Sequence, residues 1–284
     1  VGAASNSGRN IVTPLMYDAM LRSNTREYLP YVSASNSTAV QDSQPVSAQA
    51  DYYKSVFSVD EDAPYIKNIA EVSSNRILKS TLQGHILHNS GKGTSTQYLI
   101  NGNNEVPLLT VNGDNVTFGG HYPAGTLYKN TVVSPDNITS TTYTDKSGNV
   151  VMQKVQNQGG SILNTLYAYD KYGLLRYVIT PSASESPLQG TTLTPSSAMT
   201  LQQCYHYQYD GNGNMIYKQQ PGRDAQLYVY DKGGREVMYQ DGNMRSDGYW
   251  LCTQYDEADR ITLRGIVQSS LSAVQLRQRN SFLY

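Results

Sequence analysis

Tyr207-Gln208-Tyr209-Asp210-Gly211-Asn212-Gly213-Asn214, then Pro221-Gly222, then Tyr228-Val229-Tyr230-Asp231-Lys232-Gly233-Gly234-Arg235, is the stretch that decides the fold. In it a tyrosine-aspartate pair is followed, three residues after the aspartate, by a glycine, and the unit recurs at Tyr169-Asp170-Lys171-Tyr172-Gly173. Looser copies stand at Tyr17-Asp18, where Leu21 replaces the glycine, at Tyr255-Asp256, where Asp259 does, and at Thr144-Asp145-Lys146-Ser147-Gly148, which keeps the turn and loses the tyrosine. An aspartate that opens a turn accepts hydrogen bonds from N–H groups two and three residues ahead, and a glycine on the far side supplies the positive φ that closes a short hairpin. Leu21, Asp259 and Thr144 are therefore where the pattern should weaken. Upstream of the turns the tyrosines alternate, as Tyr205, Tyr207 and Tyr209, as Tyr228 and Tyr230, and as Tyr167 and Tyr169. Period two places each set on one face of a strand, where rings pair across neighbouring strands.

Working outward, strands are predicted near 204–209, 214–219, 225–230, 235–240, 249–255 and 260–267, with turns at Asp210–Gly213, Pro221-Gly222, Asp231–Gly234, Asp241-Gly242 and Asp256–Asp259. Tyr209 and Tyr230 are 21 residues apart, and Tyr230 and Tyr255 are 25 apart. A unit of that length holds one hairpin and its connection, too little for a strand–helix–strand crossover. The expected fold is all-β, an antiparallel meander of hairpins forming a curved sheet or partial shell, with short helices in insertions and at the C-terminus.

Three regions follow: 1–140, a β region with one hairpin of the repeat type and irregular insertions; 141–267, the hairpin meander; and 268–284, a helical tail. In the first, residues 32–50 read as a small polar loop, Ala50–Phe57 as a short helix and Asn75–Leu82 as another short element. Strand-like stretches lie at 95–100, 106–111, 115–118, 126–133 and 138–143, with Asn101-Gly102 and Asn112-Gly113 as hairpin signals. Pro181 to Pro195 reads as a loop, Ser197–Gln203 as a helical turn, and Leu271, Val274, Leu276 and Phe282 as the apolar positions of the tail.

Composition suits a polar, aromatic-built β protein. There are 24 Tyr against 3 Phe and 1 Trp, so most rings keep a hydroxyl and can sit half-buried. Mean hydropathy is −0.50, which favours thin layers over a thick core. Lys+Arg (22) and Asp+Glu (23) nearly cancel, and no basic run exists to follow a phosphate backbone, which argues against nucleic acid. No window of 18 consecutive apolar residues exists to span a membrane as a helix.

The paired tyrosines, the Tyr-Asp turn, the glycine and the midway Pro221-Gly222 together resemble the RHS/YD-repeat family. Ile11-Val12-Thr13-Pro14, Arg26-Glu27-Tyr28-Leu29-Pro30-Tyr31, Asn104-Glu105-Val106-Pro107, Leu175-Arg176-Tyr177-Val178-Ile179 and Trp250-Leu251-Cys252-Thr253-Gln254-Tyr255-Asp256 are similar, in order, to landmarks of the large RHS-like bacterial proteins of gut anaerobes. The likeness runs from about residue 9 to 267. Asn149, Leu174 and Asn214 depart from the arginine that often follows the glycine. The resemblance implies a long extracytoplasmic chain, secreted or on the cell surface, whose repeats coil into a β-shell, in some members around a toxic C-terminal domain. It implies that this chain is a segment of such a protein, with strand edges that the intact chain would pair.

Candidate chemistry is sparse. Gly84 to Thr94 has a phosphate-loop flavour but lacks the spacing and the Lys-Ser/Thr ending, and reads as a flexible loop. His85 and His88 have no third ligand nearby and read as a surface hairpin or loop pair. Asp170, Asp210, Asp231 and Asp256 allow a paired-carboxylate glycosidase to be imagined, yet turn capping explains each of them. Cys204 and Cys252 read either as a disulfide across the meander or as two buried free thiols, the plainer and preferred reading. His206 shares a strand face with Cys204 and has no evident role as its base. Asn36-Ser37-Thr38, Asn115-Val116-Thr117 and Asn137-Ile138-Thr139 match a glycosylation pattern that means little in a bacterial chain.

The expectation is a non-enzymatic structural scaffold with no cofactor and no metal. Its repeat turns are carried by Tyr17, Asp18, Asp145, Gly148, Tyr169, Asp170, Gly173, Tyr209, Asp210, Gly213, Tyr230, Asp231, Gly234, Tyr255 and Asp256. Its partners are neighbouring repeats or a C-terminal domain of the same full-length chain. The alternative is a module that binds carbohydrate or protein through exposed tyrosines, with Tyr205, Tyr207 and Tyr228 as its surface. Burial of those rings discriminates the two.

Overall fold

A computed structural model of the chain describes residues 9–34, 44–58, 60–185 and 190–280. The Asn36-Ser37-Thr38 pattern, residues 35–43 of the polar run 32–50, part of the loop between Pro181 and Pro195, and Phe282 lie outside the described residues.

In chain order the strands of the first half are β1 (Ile11–Val12), β2 (Arg26–Tyr28), β3 (Tyr31–Val32), β4 (Tyr65–Ala70), β5 (Ile77–Thr81), β6 (Gly93–Ile100), β7 (Pro107–Asn112), β8 (Asn115–His121), β9 (Tyr128–Val133) and β10 (Thr139–Thr144). The second half holds β11 (Val150–Gln156), β12 (Ile162–Tyr169), β13 (Leu175–Ile179), β14 (Thr192–Leu193), β15 (Cys204–Tyr209), β16 (Met215–Gln219), β17 (Gln226–Tyr230), β18 (Glu236–Gln240), β19 (Tyr249–Tyr255) and β20 (Ile261–Gln268). Short helices are α1 (Pro45–Val56), α2 (His85–Asn89), α3 (Pro181–Ser184), α4 (Ala198–Gln203), α5 (Gly242–Ser246) and α6 (Ala273–Asn280). One sheet takes fifteen of the strands in the order β2-β4-β5-β6-β9-β10-β11-β12-β13-β15-β16-β17-β18-β19-β20. The fold is an antiparallel meander, because successive strands are joined by connections too short to cross over.

Contacts divide the chain into two units, and the expected division at residue 140 falls within β10. The first unit holds residues up to 99, with 130–141 and 156–161. In it β1 pairs with β3, and β2, β4 and β5 pair in sequence. α1 packs on β3, with Tyr31 and Tyr52 ring centroids 6.3 Å apart. Buried Gln49 of α1 donates its side-chain amide to the main-chain oxygens of Leu29 and Pro64, clasping the Tyr28–Tyr31 segment. α1 starts at Pro45, inside the run read as loop, since proline at the first helical turn has no amide to lose. Asn75–Leu82 resolves into β5.

The second unit holds 100–129, 142–155 and the residues from 162 onward. A core of Val106, Val116, Phe118, Leu127, Tyr143, Met152, Leu166, Tyr177, Ile179 and Leu193 packs between strands of the meander and a small sheet ordered β14-β8-β7. A second cluster gathers Val229, Trp250, Ala273 and Leu276 where α6 lies on β17. In the tail Leu276 is buried but Val274 is exposed, because the short helix turns only one narrow face to the sheet.

Two turn readings are corrected here. Asp241-Gly242 is no tight hairpin; Asp241 caps α5, its carboxylate accepting from Met244 N at 2.9 Å, as aspartate favours. Asn101-Gly102 joins strands of different sheets instead of closing a hairpin. Asn101 is buried, accepts from Leu127 N at 2.8 Å and donates to Pro123 O at 2.9 Å, so it fastens the base of the insertion that carries the β7–β8 hairpin.

Candidate functional site: the hydrogen-bonded turn ladder

Each Tyr-Asp turn has the same wiring. At Asp18, Asp145, Asp170, Asp210, Asp231 and Asp256 the main-chain N–H of the aspartate donates to the carbonyl four residues on, at 2.9–3.0 Å. The N–H three residues on returns to the aspartate carbonyl at 2.9–3.1 Å. That donor is consequently taken, and the carboxylate serves other amides. Oδ1 of Asp210 accepts from Asn212 N and Asn214 N, both at 2.9 Å. Asp18, Asp145, Asp170 and Asp256 repeat the two-and-four pattern. The expected bonds two and three residues ahead are thus corrected to two and four.

The second carboxylate oxygen is occupied by the side chain four residues on. Arg22 does this for Asp18, Arg235 for Asp231 and Arg260 for Asp256, at 2.7–2.8 Å. Asn149 and Asn214 do it through their amides at 3.0 Å. Leu174 cannot, and Arg176 reaches Asp170 from two residues further on at 3.4 Å. Arg235 also donates to Asp259 at 2.8 Å and to the Asp256 carbonyl at 3.2 Å, so one guanidinium ties two successive turns.

Gly148, Gly173, Gly213 and Gly234 have φ of 79–89°, and Leu21 and Asp259 take 59° and 60°. The regularity therefore does not weaken at Leu21 or Asp259: their turns keep every bond, at the cost of a left-handed residue with a Cβ. The same closure recurs where the sequence shows no Tyr-Asp pair. Ser134 with Asn137, and Asn157 with Gly160, close identical rings, with Ser134 Oγ donated to by Ile138 N and Asn157 Oδ1 by Ser161 N. Serine and asparagine carry the same short acceptor as aspartate, which is the signal that would have found them.

The tyrosines link one turn to the next. Tyr169 donates its hydroxyl to Val150 O, Tyr209 to Leu175 O and Tyr230 to Met215 O, each at 3.0 Å, and Tyr255 to Glu236 O at 2.9 Å. Every acceptor lies five residues after the aspartate of the preceding turn. Within each hairpin the register slips by one residue at the tyrosine, leaving Arg176, Ile216, Val237 and Thr262 out of the pairing. Leu175, Met215 and Glu236 each precede such a bulge, where the interrupted ladder leaves a carbonyl for an outside donor.

Tyr17, ahead of the first turn, is exposed. Tyr205, Tyr207 and Tyr228 are half-buried, and Tyr228 packs against Tyr239 with centroids 5.4 Å apart.

Elsewhere the chemistry is thin. His85 and His88 sit on the helix α2, not on a hairpin or loop. His85 Nδ1 is 2.9 Å from Asp62, which raises the imidazole's affinity for a proton, and His88 lies edge-on to Tyr65. Among the described residues no group of three or more His, Cys, Asp or Glu could hold a metal. Cys204 and Cys252 are free thiols, and burial pushes Cys204 up to about 12. His206 is fully buried between Tyr177 at 4.5 Å and Tyr217 at 5.4 Å, with neither ring nitrogen hydrogen-bonded, and burial pushes it down to about 4. Two open clefts, about 500 and 480 Å³, are lined by Met20–Asn24 with Val72–Asn75 and by Ser90–Gly93 with Pro135–Asn137 and Gln158; neither sets a nucleophile beside a base. Among the described residues no helix is long and apolar enough to cross a membrane.

A family model described as a domain of unknown function, DUF6443, matches residues 1–100. Among solved structures the chain resembles one titled TcdB2-TccC3-TEV, with a TM-score of 0.54 and 14% identity over 92% of this chain and 10% of that one. It also resembles TcdB2-TccC3-Cdc42, with a TM-score of 0.51 and 15% identity over 90% of this chain and 10% of that one. The fold is shared with these proteins. This chain spans about a tenth of their length. No curated protein sequence matches it.

Proposed function

We propose that the chain is a non-enzymatic scaffold, a length of β-shell wall from a larger extracytoplasmic RHS-like protein that encloses or presents another domain of the same polypeptide. The observation that carries the reading is the turn ladder: each Tyr-Asp unit spends its carboxylate on its own turn and, for Tyr169, Tyr209, Tyr230 and Tyr255, its hydroxyl on the turn before. Groups used in this way build and brace a sheet. A fold shared with chains about ten times longer supports a part within a larger wall. Secretion or surface display rests on the family resemblance alone.

Limited proteolysis of the full-length product is the test, with the culture medium and cell surface assayed for it. Polypeptide outside residues 1–284 is expected to resist protease until the wall unfolds, and the Tyr209→Phe/Tyr230→Phe double variant to lose that protection at lower temperature. Early release of this chain as a separate fragment, with the remainder equally cleavable in both proteins, would overturn the reading. A glycan array is expected to give no binding above that of Tyr228→Ala.

A further inference from the structure

Asn101-Gly102 closes no hairpin, yet each atom that matters to asparagine cyclisation has a partner there. In that reaction the nitrogen of the following residue attacks the asparagine Cγ, and the side-chain nitrogen leaves as ammonia. It needs a base on the attacking nitrogen and a donor on the carbonyl oxygen that gains charge. Gly102 N, the attacking nitrogen, donates to Glu105 Oε2 at 2.7 Å. Asn101 Oδ1, the oxygen that gains charge, accepts from Leu127 N at 2.8 Å, and the asparagine is buried. Asn101 Nδ2, the leaving nitrogen, donates to Pro123 O at 2.9 Å and to Gly102 O at 3.2 Å, which holds the side chain along the peptide it closes on. Glycine has no Cβ to hinder the attack.

Glu105 is set over that amide by its neighbours. Asn104 takes a φ of 54°, turning the chain so that Glu105 returns to Gly102. The other carboxylate oxygen, Oε1, accepts from the Tyr143 hydroxyl at 2.7 Å and from Lys129 Nζ. Burial works against ionisation, but these donors and Gly102 N outweigh it, so the carboxylate is charged and able to receive a proton. They also make it a weak base, so the reaction is slow. The main chain is held as well: Gly125 N donates to Asn101 O at 2.9 Å, and Asn101 N to Leu127 O at 3.2 Å.

We propose that Asn101-Gly102 is a self-modifying site, at which Glu105 takes the Gly102 amide proton, Gly102 N bonds to Asn101 Cγ, and the Cγ–Nδ2 bond breaks. The proton passes from Glu105 to Nδ2, which leaves as ammonia. One water, admitted where Gly102 is exposed, then opens the succinimide to aspartate or isoaspartate. Nothing is oxidised or reduced. The residue is consumed once, so this is no enzymatic turnover, and it goes beyond the scaffold reading without resting on it. Conversion replaces the donor that faces Pro123 O by a carboxylate oxygen, leaving two buried acceptors opposed. The segment 123–127, which Asn101 fastens to the base of the β7–β8 insertion, is thereby loosened.

The purified chain is aged at neutral pH in heavy-oxygen water, and conversion at Asn101 is read by peptide mass spectrometry, with hydroxylamine cleavage to trap the succinimide. Asn112-Gly113, exposed at the tip of the β7–β8 hairpin, is the same pair in an ordinary turn and serves as the internal standard. Asn101 is expected to convert faster in the folded chain than in denaturant. Its rate should stay nearly flat with pH while that of Asn112 rises with hydroxide. Glu105→Gln should slow Asn101 about tenfold, less than the usual gain from a positioned base because Glu105 is a weak one, and leave Asn112 unchanged. If Glu105 only held the loop still, the variant would loosen it and speed Asn101; that result, or slower conversion folded than unfolded, overturns the proposal. The folded-against-unfolded comparison uses the parent chain alone and decides the matter if Glu105→Gln does not fold. Asn101→Asp should speed amide exchange at Gly125 and Leu127, and unchanged exchange overturns the loosening.

Discussion

The hydroxyl of Tyr230 donates to the main-chain oxygen of Met215, fifteen residues back and one hairpin earlier, at 3.0 Å. That bond explains why the repeat uses tyrosine. Phenylalanine would fill the same half-buried face but leave the carbonyl before the bulge without its donor.

Tyr230→Phe should lower stability by about 1 kcal/mol, the net worth of one hydrogen bond. Tyr209→Phe should cost about the same, because Tyr209 makes the equivalent bond to Leu175 O. Urea unfolding followed by the buried Trp250 gives the comparison. An unchanged midpoint in both variants would remove the hydroxyl link as a source of stability.

Gly213→Val should cost about 1–3 kcal/mol from backbone strain. The loss would be conformational, since φ is 85° and a Cβ there meets nothing within 4 Å. Leu21→Gly should move the other way by roughly 0.5 kcal/mol, relief of the left-handed conformation outweighing the added chain entropy. Thermal melts of the pair check both signs.

Acid should unfold the protein through His206. The folded imidazole is held neutral, down to about 4, by burial and the nearby Arg176, against the pull of Asp114. The unfolded chain takes up a proton below its ordinary value of 6.5 while the folded one does not. Stability is therefore full above pH 6.5 and falls as pH drops toward 4, by up to about 3 kcal/mol. His206→Phe keeps a ring between Tyr177 and Tyr217 and should flatten that slope; urea midpoints at pH 7.5, 5.5 and 4.5 report it.

Glu105 should act in a lower window. Burial raises it, but the Lys129 ammonium, Gly102 N and the Tyr143 hydroxyl outweigh that and hold it down to about 2. Its contribution is present above pH 4.5 and lost as pH falls toward 2. Glu105→Gln should destabilise at pH 7, and this loss relative to the parent should shrink progressively below pH 4.5.

Thiol titration tests the cysteines. Cys204, buried and pushed up to about 12, should stay unreactive toward a disulfide reagent until the chain unfolds, and half-buried Cys252 should react slowly. Titration of fewer than two thiols in the unfolded, unreduced chain would indicate a disulfide.

Much of the meander was legible. From β15 to β20 strand bounds fall within about one residue of the reading, because period-two tyrosines and Asp-to-Gly turns are local signals. The turns at Ser134 and Asn157 escaped it because their acceptor side chains differ from aspartate while the backbone closure is the same. Asn101-Gly102 misled for the opposite reason: in a residue pair that favours a hairpin, Asn101 was instead buried and bonded to a partner 26 residues away, at Leu127.

What the sequence determined by itself was the hairpin, since aspartate, glycine and alternating tyrosine act within a few residues of one another. What only the tertiary structure decided was what each hairpin holds on to. The acceptor of each tyrosine hydroxyl belongs to another turn, and the freedom of that carbonyl depends on a bulge that appears only once strands pair. Strand order likewise decided that β20 stands last in the sheet among the described residues, because an edge is a property of which neighbours are present and no single strand's residues encode it.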